Sequence, residues 1–279
     1  MNEINNYLFK FCESPAMRAG DFIDADGNIC CGICRQPRQF DSVLLGEPVK
    51  VHIPCACERA ERERRLEEEA ARRLAEKIER NRAACFPAGG RFTDMRFENA
   101  DGCDAPAFKA AEQFCERFDD FTRLGKGVIF FGTVGCGKTF LAACIANRLL
   151  DQGTRVIFTN LPRIVNRLQV SFEGRNELFD ELNRVPLLVL DDLRAERRTE
   201  FMTETLFNII DGRYNSGLPL VVTTNMTAAE LKQSGGDLSL DRVTSRLLEM
   251  CHPVEVTGQD RRREKLKSTF SETAALLGI

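Results

Sequence analysis

The chain has 279 residues, with 39 lysines and arginines against 42 acidic residues and a formal charge of -3. No overall basic excess advertises nucleic-acid binding, so any such contact must come from a local patch. No apolar run is long enough to span a bilayer and the first residues lack a secretory pattern, so the chain reads as cytoplasmic and soluble, its 12 cysteines not a disulfide framework.

In chain order, three segments are expected. Residues 1–57 hold two chelating pairs, Cys31 with Cys34 and Cys55 with Cys57. Four thiolates close a tetrahedral structural Zn²⁺ site, and in so short a segment a metal would supply much of the folding energy. Cys30 and His52 are alternative ligands, although Cys30 beside Cys31 is poorly placed for simultaneous chelation. Residues 58–84 turn to Glu, Arg and Ala, with acids four residues ahead of bases from Glu58–Arg62 to Glu76–Arg80. That order favours a helix, and Leu66, Leu74 and Ile78 give it only a narrow apolar stripe. A solvated linker helix is the reading, either a bare spacer or a seam for a partner.

From residue 85 to 279, apolar runs alternate with helical patterns. Strands are expected at 128–131, 155–159, 187–190, 218–224 and 254–256, with helices at 140–150, 200–214 and 240–250 between them. Such alternation implies an α/β fold with a parallel sheet covered on both faces.

The first strand leads into Gly132, Thr133, Val134, Gly135, Cys136, Gly137, Lys138 and Thr139, which fit every fixed position of the phosphate-binding loop G-x-x-x-x-G-K-[ST]. Glycines let backbone N–H groups turn toward a phosphate, and the following helix, entered at Phe140, adds its N-terminal partial charge. Lys138 would reach the β- and γ-phosphates and Thr139 would ligate Mg²⁺. The third strand ends in Asp191 and Asp192, where ligands of such sheets gather. Asp191 would hold Mg²⁺ and Asp192 would orient and activate the attacking water. Asn225, ending the fourth strand, could bond that water or the γ-phosphate, or simply cap the next helix. Arg242 and Arg246 share one helical face, and Arg261, Arg262 and Arg263 follow the last strand; positive charge at the γ-phosphate is what phosphoryl transfer needs.

Together these motifs resemble the AAA+ helicase loaders of the DnaC/DnaI type and the similar IstB transposition helper ATPases, from about residue 86 to 259 and beyond. The resemblance extends to Ile209, Ile210, Asp211, Gly212, Arg213, Tyr214 and Asn215. It implies an AAA+ P-loop sheet with a much reduced C-terminal lid, preceded by a small zinc-binding module and the linker. It further implies a sensor I role for Asn225, a finger acting on a neighbour's ATP for Arg246 with Arg242 beside it, and sensor II for Arg262, with Arg261 and Arg263 as register alternatives. Phe92 and Phe97 match the segment leading into the base pocket. The region 160–172 occupies the place where loaders carry their single-stranded DNA contacts, which makes Arg167 and Phe172 candidates for backbone contact and base stacking.

Two departures stand out. Arg194 occupies a position that is often glycine in the family. Asp192 replaces the glutamate usual in AAA+ proteins, and its shorter reach implies slow hydrolysis. IstB-type helpers generally lack a cysteine module, whereas DnaI-type and mobile-element DnaC-type loaders carry a helicase-docking one. The expectation is therefore an ATPase using ATP, Mg²⁺ and Zn²⁺ that self-associates through its ATPase domain. It would load a hexameric replicative helicase onto single-stranded DNA. The alternatives are a transposition helper on duplex DNA and a nucleotide-gated adaptor that barely hydrolyses ATP.

Overall fold

Alternating apolar runs and helical stretches build one five-stranded parallel sheet in the computed structural model, which describes residues 16–44, 46–86, 90–100, 104–170, 174–193, 199–232, 238–260, 270 and 273–279. The chain divides into two compact units, Met1–Leu74 and Ala75–Ile279.

In the first unit, β1 (Phe22–Ile23) pairs antiparallel with β2 (Ile29–Cys30), and β3 (Gln39–Leu44) with β4 (Glu47–His52). Helix α1 spans Ala56–Cys85. It is longer than the expected linker at both ends, so Cys57 lies in its first turn. Glu61–Arg65 and Glu69–Arg73 approach to 3.5 and 3.7 Å along its exposed surface. Exposed pairs of this kind stabilise little.

The second unit continues with α2 (Ala105–Glu116), α3 (Phe118–Leu124), β5 (Gly127–Phe131), α4 (Lys138–Asp151), β6 (Val156–Thr159), α5 (Leu161–Val170) and α6 (Arg175–Arg184). There follow β7 (Leu187–Leu193), α7 (Glu200–Ser216), β8 (Leu220–Thr224), α8 (Ala228–Lys232), α9 (Leu238–Met250) and β9 (Cys251–Glu255). The strand order is β6-β7-β8-β5-β9. Side chains alternate across the sheet with period two. Val128, Phe130 and Val189 pack on one face with residues of α2 and α4, while Ile129, Phe131 and Leu190 pack on the other with residues of α5, α6, α7 and α9.

The last strand begins at Cys251, three residues before the expected start. The misreading came from Pro253, which sits opposite Ile129. Proline is excluded from central strands but tolerated at an edge, and β9 is the edge of this sheet. The expected lid falls partly on residues 261–269 and 271–272, outside the described residues.

Arg213 is fully buried, and among the described residues its guanidinium meets main-chain carbonyls instead of a carboxylate. Nη1 donates to Val185 O at 2.7 Å and Leu182 O at 3.3 Å, and Nη2 donates to Pro219 O. Burial pushes its pKa down to about 10. One side chain thus ties the end of α6 to the entries of β7 and β8, at the end of the sheet opposite the phosphate loop. Gly212 lies beside it, and a Cβ there would stand 2.2 Å from Asn183 Nδ2, so the Asn183 side chain would have to shift.

Candidate functional site

The phosphate loop joins β5 to the N-terminus of α4. Gly132, Gly135 and Gly137 have φ of 145°, 84° and 110°, all strained for side-chain-bearing residues. Close approach adds a second reason for glycine: a Cβ on Gly132 would stand 2.3 Å from Val256 O, and one on Gly135 would stand 2.0 Å from Asp260 Oδ1. The segment after β9 therefore lies directly against the loop. Asp104 holds it there, accepting from Thr257 N at 2.7 Å and Thr257 Oγ1 at 2.6 Å.

Lys138 is buried, its ammonium donating to Gly132 O at 2.9 Å and Thr133 O at 2.6 Å and lying 3.6 Å from Cys136 Sγ. Cys136 is itself buried, Phe140 half-buried and Thr133 exposed. The lysine is bonded to the loop it would serve, within a side chain's swing of the phosphate position.

Strand β8 lies between β5 and β7, and its Thr223 joins the two halves of the site. Thr139 Oγ1 and Thr223 Oγ1 both donate to Asp191 Oδ1, at 2.8 and 2.6 Å. Thr223 Oγ1 also accepts from Asp192 N at 2.8 Å. Burial raises the Asp191 carboxyl above its ordinary range and the neighbouring Asp192 charge adds to this, while the two threonine hydroxyls oppose it. A half-buried carboxylate facing a threonine hydroxyl across 2.8 Å is a donor set that fits Mg²⁺.

The register of β7 against β8 shifts between Leu190 and Leu193, and Asp192 takes φ 55°. A local irregularity of this kind re-aims a side chain at a strand end. Here it turns Asp192 toward Asn225, whose Nδ2 lies 3.4 Å from Asp192 Oδ1. Sequence reading passed over Thr223. Its position two residues before Asn225 on a buried strand was the available signal, but nothing local says that β8 inserts beside β7.

Arg246 lies apart from this cluster. Helix α9 runs back toward the start of β9, so Arg246 sits toward the far end of the sheet from the loop. It ion-pairs with Asp211 of α7 and lies over the rings of Phe207 and Tyr214, 5.0 and 5.6 Å from their centroids. Tyr214 Oη donates to Glu249 Oε1 at 2.9 Å, a second tie between the same helices. Arg242 is exposed, one turn nearer the start of α9. Arg261, Arg262 and Arg263 lie outside the described residues, as do Phe172 and Arg194. Arg167 pairs with Glu181 at 3.4 Å. Phe92 and Phe97 pack with the core, Phe92 5.0 Å from Phe158 and Phe97 edge-on to Phe108 at 5.3 Å.

In the first unit, the sulfurs of Cys31, Cys34, Cys55 and Cys57 all lie within 4.8 Å of one another. A tetrahedral four-thiolate Zn²⁺ needs sulfurs about 3.8 Å apart, from Zn–S bonds of about 2.3 Å, so the cage fits with a small contraction. A backbone N–H at Gln36 and contacts with Cys57 pull the Cys34 thiol down to about 6. The alternative ligands are engaged elsewhere: Cys30 Sγ donates to Asp24 Oδ2 at 3.6 Å, and His52 Nε2 faces Glu58 Oε2 at 3.5 Å. Among the described residues, no helix is long and apolar enough to cross a membrane.

The family described as IstB-like ATP binding protein matches residues 59–269. The chain is 30% identical over 182 residues to the replicative helicase loader DnaI of Bacillus subtilis, covering 61% of this chain and 58% of that protein. It is 32% identical over 170 residues to an insertion sequence ATP-binding protein of Sinorhizobium fredii, covering 59% and 54% respectively. The chain thus spans less than two thirds of either relative. A crystal structure of DnaI superposes with a TM-score of 0.52 at 27% identity, over 62% of this chain and 93% of that one.

Proposed function

The chain belongs to the IstB-like ATP-binding family, and from that premise we propose that it is an ATPase that loads a hexameric replicative helicase onto single-stranded DNA. The observation that carries this reading is the four-thiol cage preceding a P-loop sheet. A cysteine module suits a docking element, and the DnaI likeness supplies the class of partner.

In the ATPase unit, Lys138 exchanges its carbonyl partners for the β- and γ-phosphates. Mg²⁺, when bound, neutralises phosphate charge. Thr139 and Asp191 would hold the ion, and Thr223 fixes the orientation of Asp191. Asp192, steadied by Asn225, orients the attacking water and takes its proton. Arg246 acts on the nucleotide of a neighbouring copy, which fits its place far along α9 from its own phosphate loop; Arg242 supports it and Arg262 reads the γ-phosphate. Hydrolysis is slow and times release. The docking module covers residues 1–57, the linker 58–84 and the ATPase domain 85–279.

A transposition helper is the second reading, favoured by the likeness to the insertion sequence protein. Co-sedimentation with the cognate hexameric helicase separates the two. The full-length chain is compared with a version beginning at Ala75, since Asn81 and Cys85 pack into the ATPase unit. Binding by the full chain that disappears in the shorter one is expected. Absence of helicase binding, together with ATP-dependent capture of duplex DNA, would overturn the loader assignment.

A further inference from the structure

We propose that a buried triad, Asp21, Arg38 and Glu58, is the positioning device of the four-thiol cage, tying the Cys31–Cys34 pair to the Cys55–Cys57 pair. It rests on the zinc reading above and extends it to residues that touch no metal. Arg38 stands in the chain between the two pairs, next to the start of β3, and its side chain is 3% exposed. Asp21 and Glu58 are buried as deeply or nearly so, at 3% and 9%.

The guanidinium reaches both carboxylates. Nη1 pairs with Asp21 Oδ2, and Nη2 donates to Glu58 Oε1 at 2.8 Å. The other oxygen of each carboxylate accepts a backbone N–H from a ligand loop. Asp21 Oδ1 takes Gly32 N at 3.1 Å, between Cys31 and Cys34. Glu58 Oε2 takes Cys55 N, also at 3.1 Å. The main chain repeats the pattern: Arg38 N donates to Ile29 O at 2.7 Å and Ile53 N donates to Arg38 O at 2.8 Å, so the residue is bonded to the approach of each pair.

Steric fit reinforces these bonds. A Cβ on Gly32 would lie 2.1 Å from Gly20 O, so the first ligand loop rests directly on the turn that carries Asp21. That turn is closed by Arg18 N donating to Asp21 Oδ2 at 2.9 Å. Glu58 is further engaged by Arg18 at 3.0 Å and by His52 at 3.5 Å. A planar guanidinium suits two carboxylates at once, which the compact ammonium of lysine does not. Partners of this kind, one bond removed from the ligands, set ligand orientation, and their loss weakens metal binding by about 10- to 100-fold.

The test uses the full-length chain, with zinc affinity measured against a competing chelator and cobalt(II) as a spectroscopic probe of the cage. Arg38→Met is expected to weaken zinc by about 10- to 100-fold and to change the intensity and position of the cobalt ligand-field bands, with ATP affinity unchanged. Asp21→Asn and Glu58→Gln keep side-chain volume and a hydrogen-bond acceptor, and each is expected to shift the bands in the same sense by a smaller amount. Arg38→Lys should not rescue. If Arg38→Met leaves the first unit unfolded, the two conservative variants decide. Wild-type zinc affinity and cobalt spectra in folded variants would reduce the triad to a packing feature and overturn the inference. A wild-type chain that takes up no zinc would remove the cage reading itself, and this inference with it.

Discussion

Replacing Thr223 by valine tests whether β8 joins the two halves of the nucleotide site. Valine matches threonine in shape, so no cavity opens, but the hydroxyl that serves both aspartates is gone. Thr223 is 1% exposed, so water cannot substitute. Loss of the hydrogen bond to the Asp191 carboxylate costs about 1.5–3 kcal/mol, and the stranded Asp192 N–H costs about 1–3 kcal/mol more, of which about 3 kcal/mol in total is the expected effect. In a unit of this size each kcal/mol moves the melting temperature by about 2–4 °C, giving a fall of about 6–12 °C. Asp191 and Asp192 would also drift, and a displacement near 1 Å lowers turnover by about 10²-fold. Thermal melting by circular dichroism and steady-state ATP hydrolysis read the two effects. Thr223→Ser keeps the hydroxyl and should stay close to wild type in both. A Thr223→Val chain with wild-type melting and turnover within about twofold would refute the argument that this hydroxyl organises the site.

Lys138→Ala should abolish binding of a fluorescent ATP analogue, and retained affinity would count against the phosphate-loop assignment. Gly132→Ala should weaken the same binding and lower the melting temperature, because its methyl meets Val256 O at 2.3 Å; an unchanged titration would show that the close approach is not needed. Arg246→Ala should lower turnover by about 10³-fold without altering ATP affinity. Asp211→Asn should do so more mildly, because it frees the guanidinium from its ion pair. Mixing Arg246→Ala with Lys138→Ala chains should restore part of the turnover, since one supplies an intact nucleotide site and the other an intact finger; no recovery would argue against action between subunits. Arg213→Met should destabilise the chain by about 4 kcal/mol, from two strong bonds to carbonyls each worth about 2 kcal/mol, and an unchanged urea midpoint would contradict its role as a tie between strand entries.

Much of the fold follows from local pattern. Apolar runs of strand length alternating with helical periodicity predict a parallel sheet, and four of the five strands lie where the runs place them. The fifth starts earlier because Pro253 disguises it, and only the strand order shows that β9 is an edge. The phosphate loop, the paired aspartates and the four cysteines are readable because their chemistry demands fixed residue types within a few positions of one another. Contacts across long sequence distances carry no such signature. Neither the insertion of β8 beside β7, which brings Thr223 to Asp191, nor the burial of Arg213 among carbonyls can be read from neighbouring residues. The same holds for Arg38 between two carboxylates 17 residues before and 20 residues after it. Sequence by itself determined which groups could bind a nucleotide and a metal. Tertiary structure decided which side chains aim those groups, because aim depends on burial and on partners the chain meets only once folded.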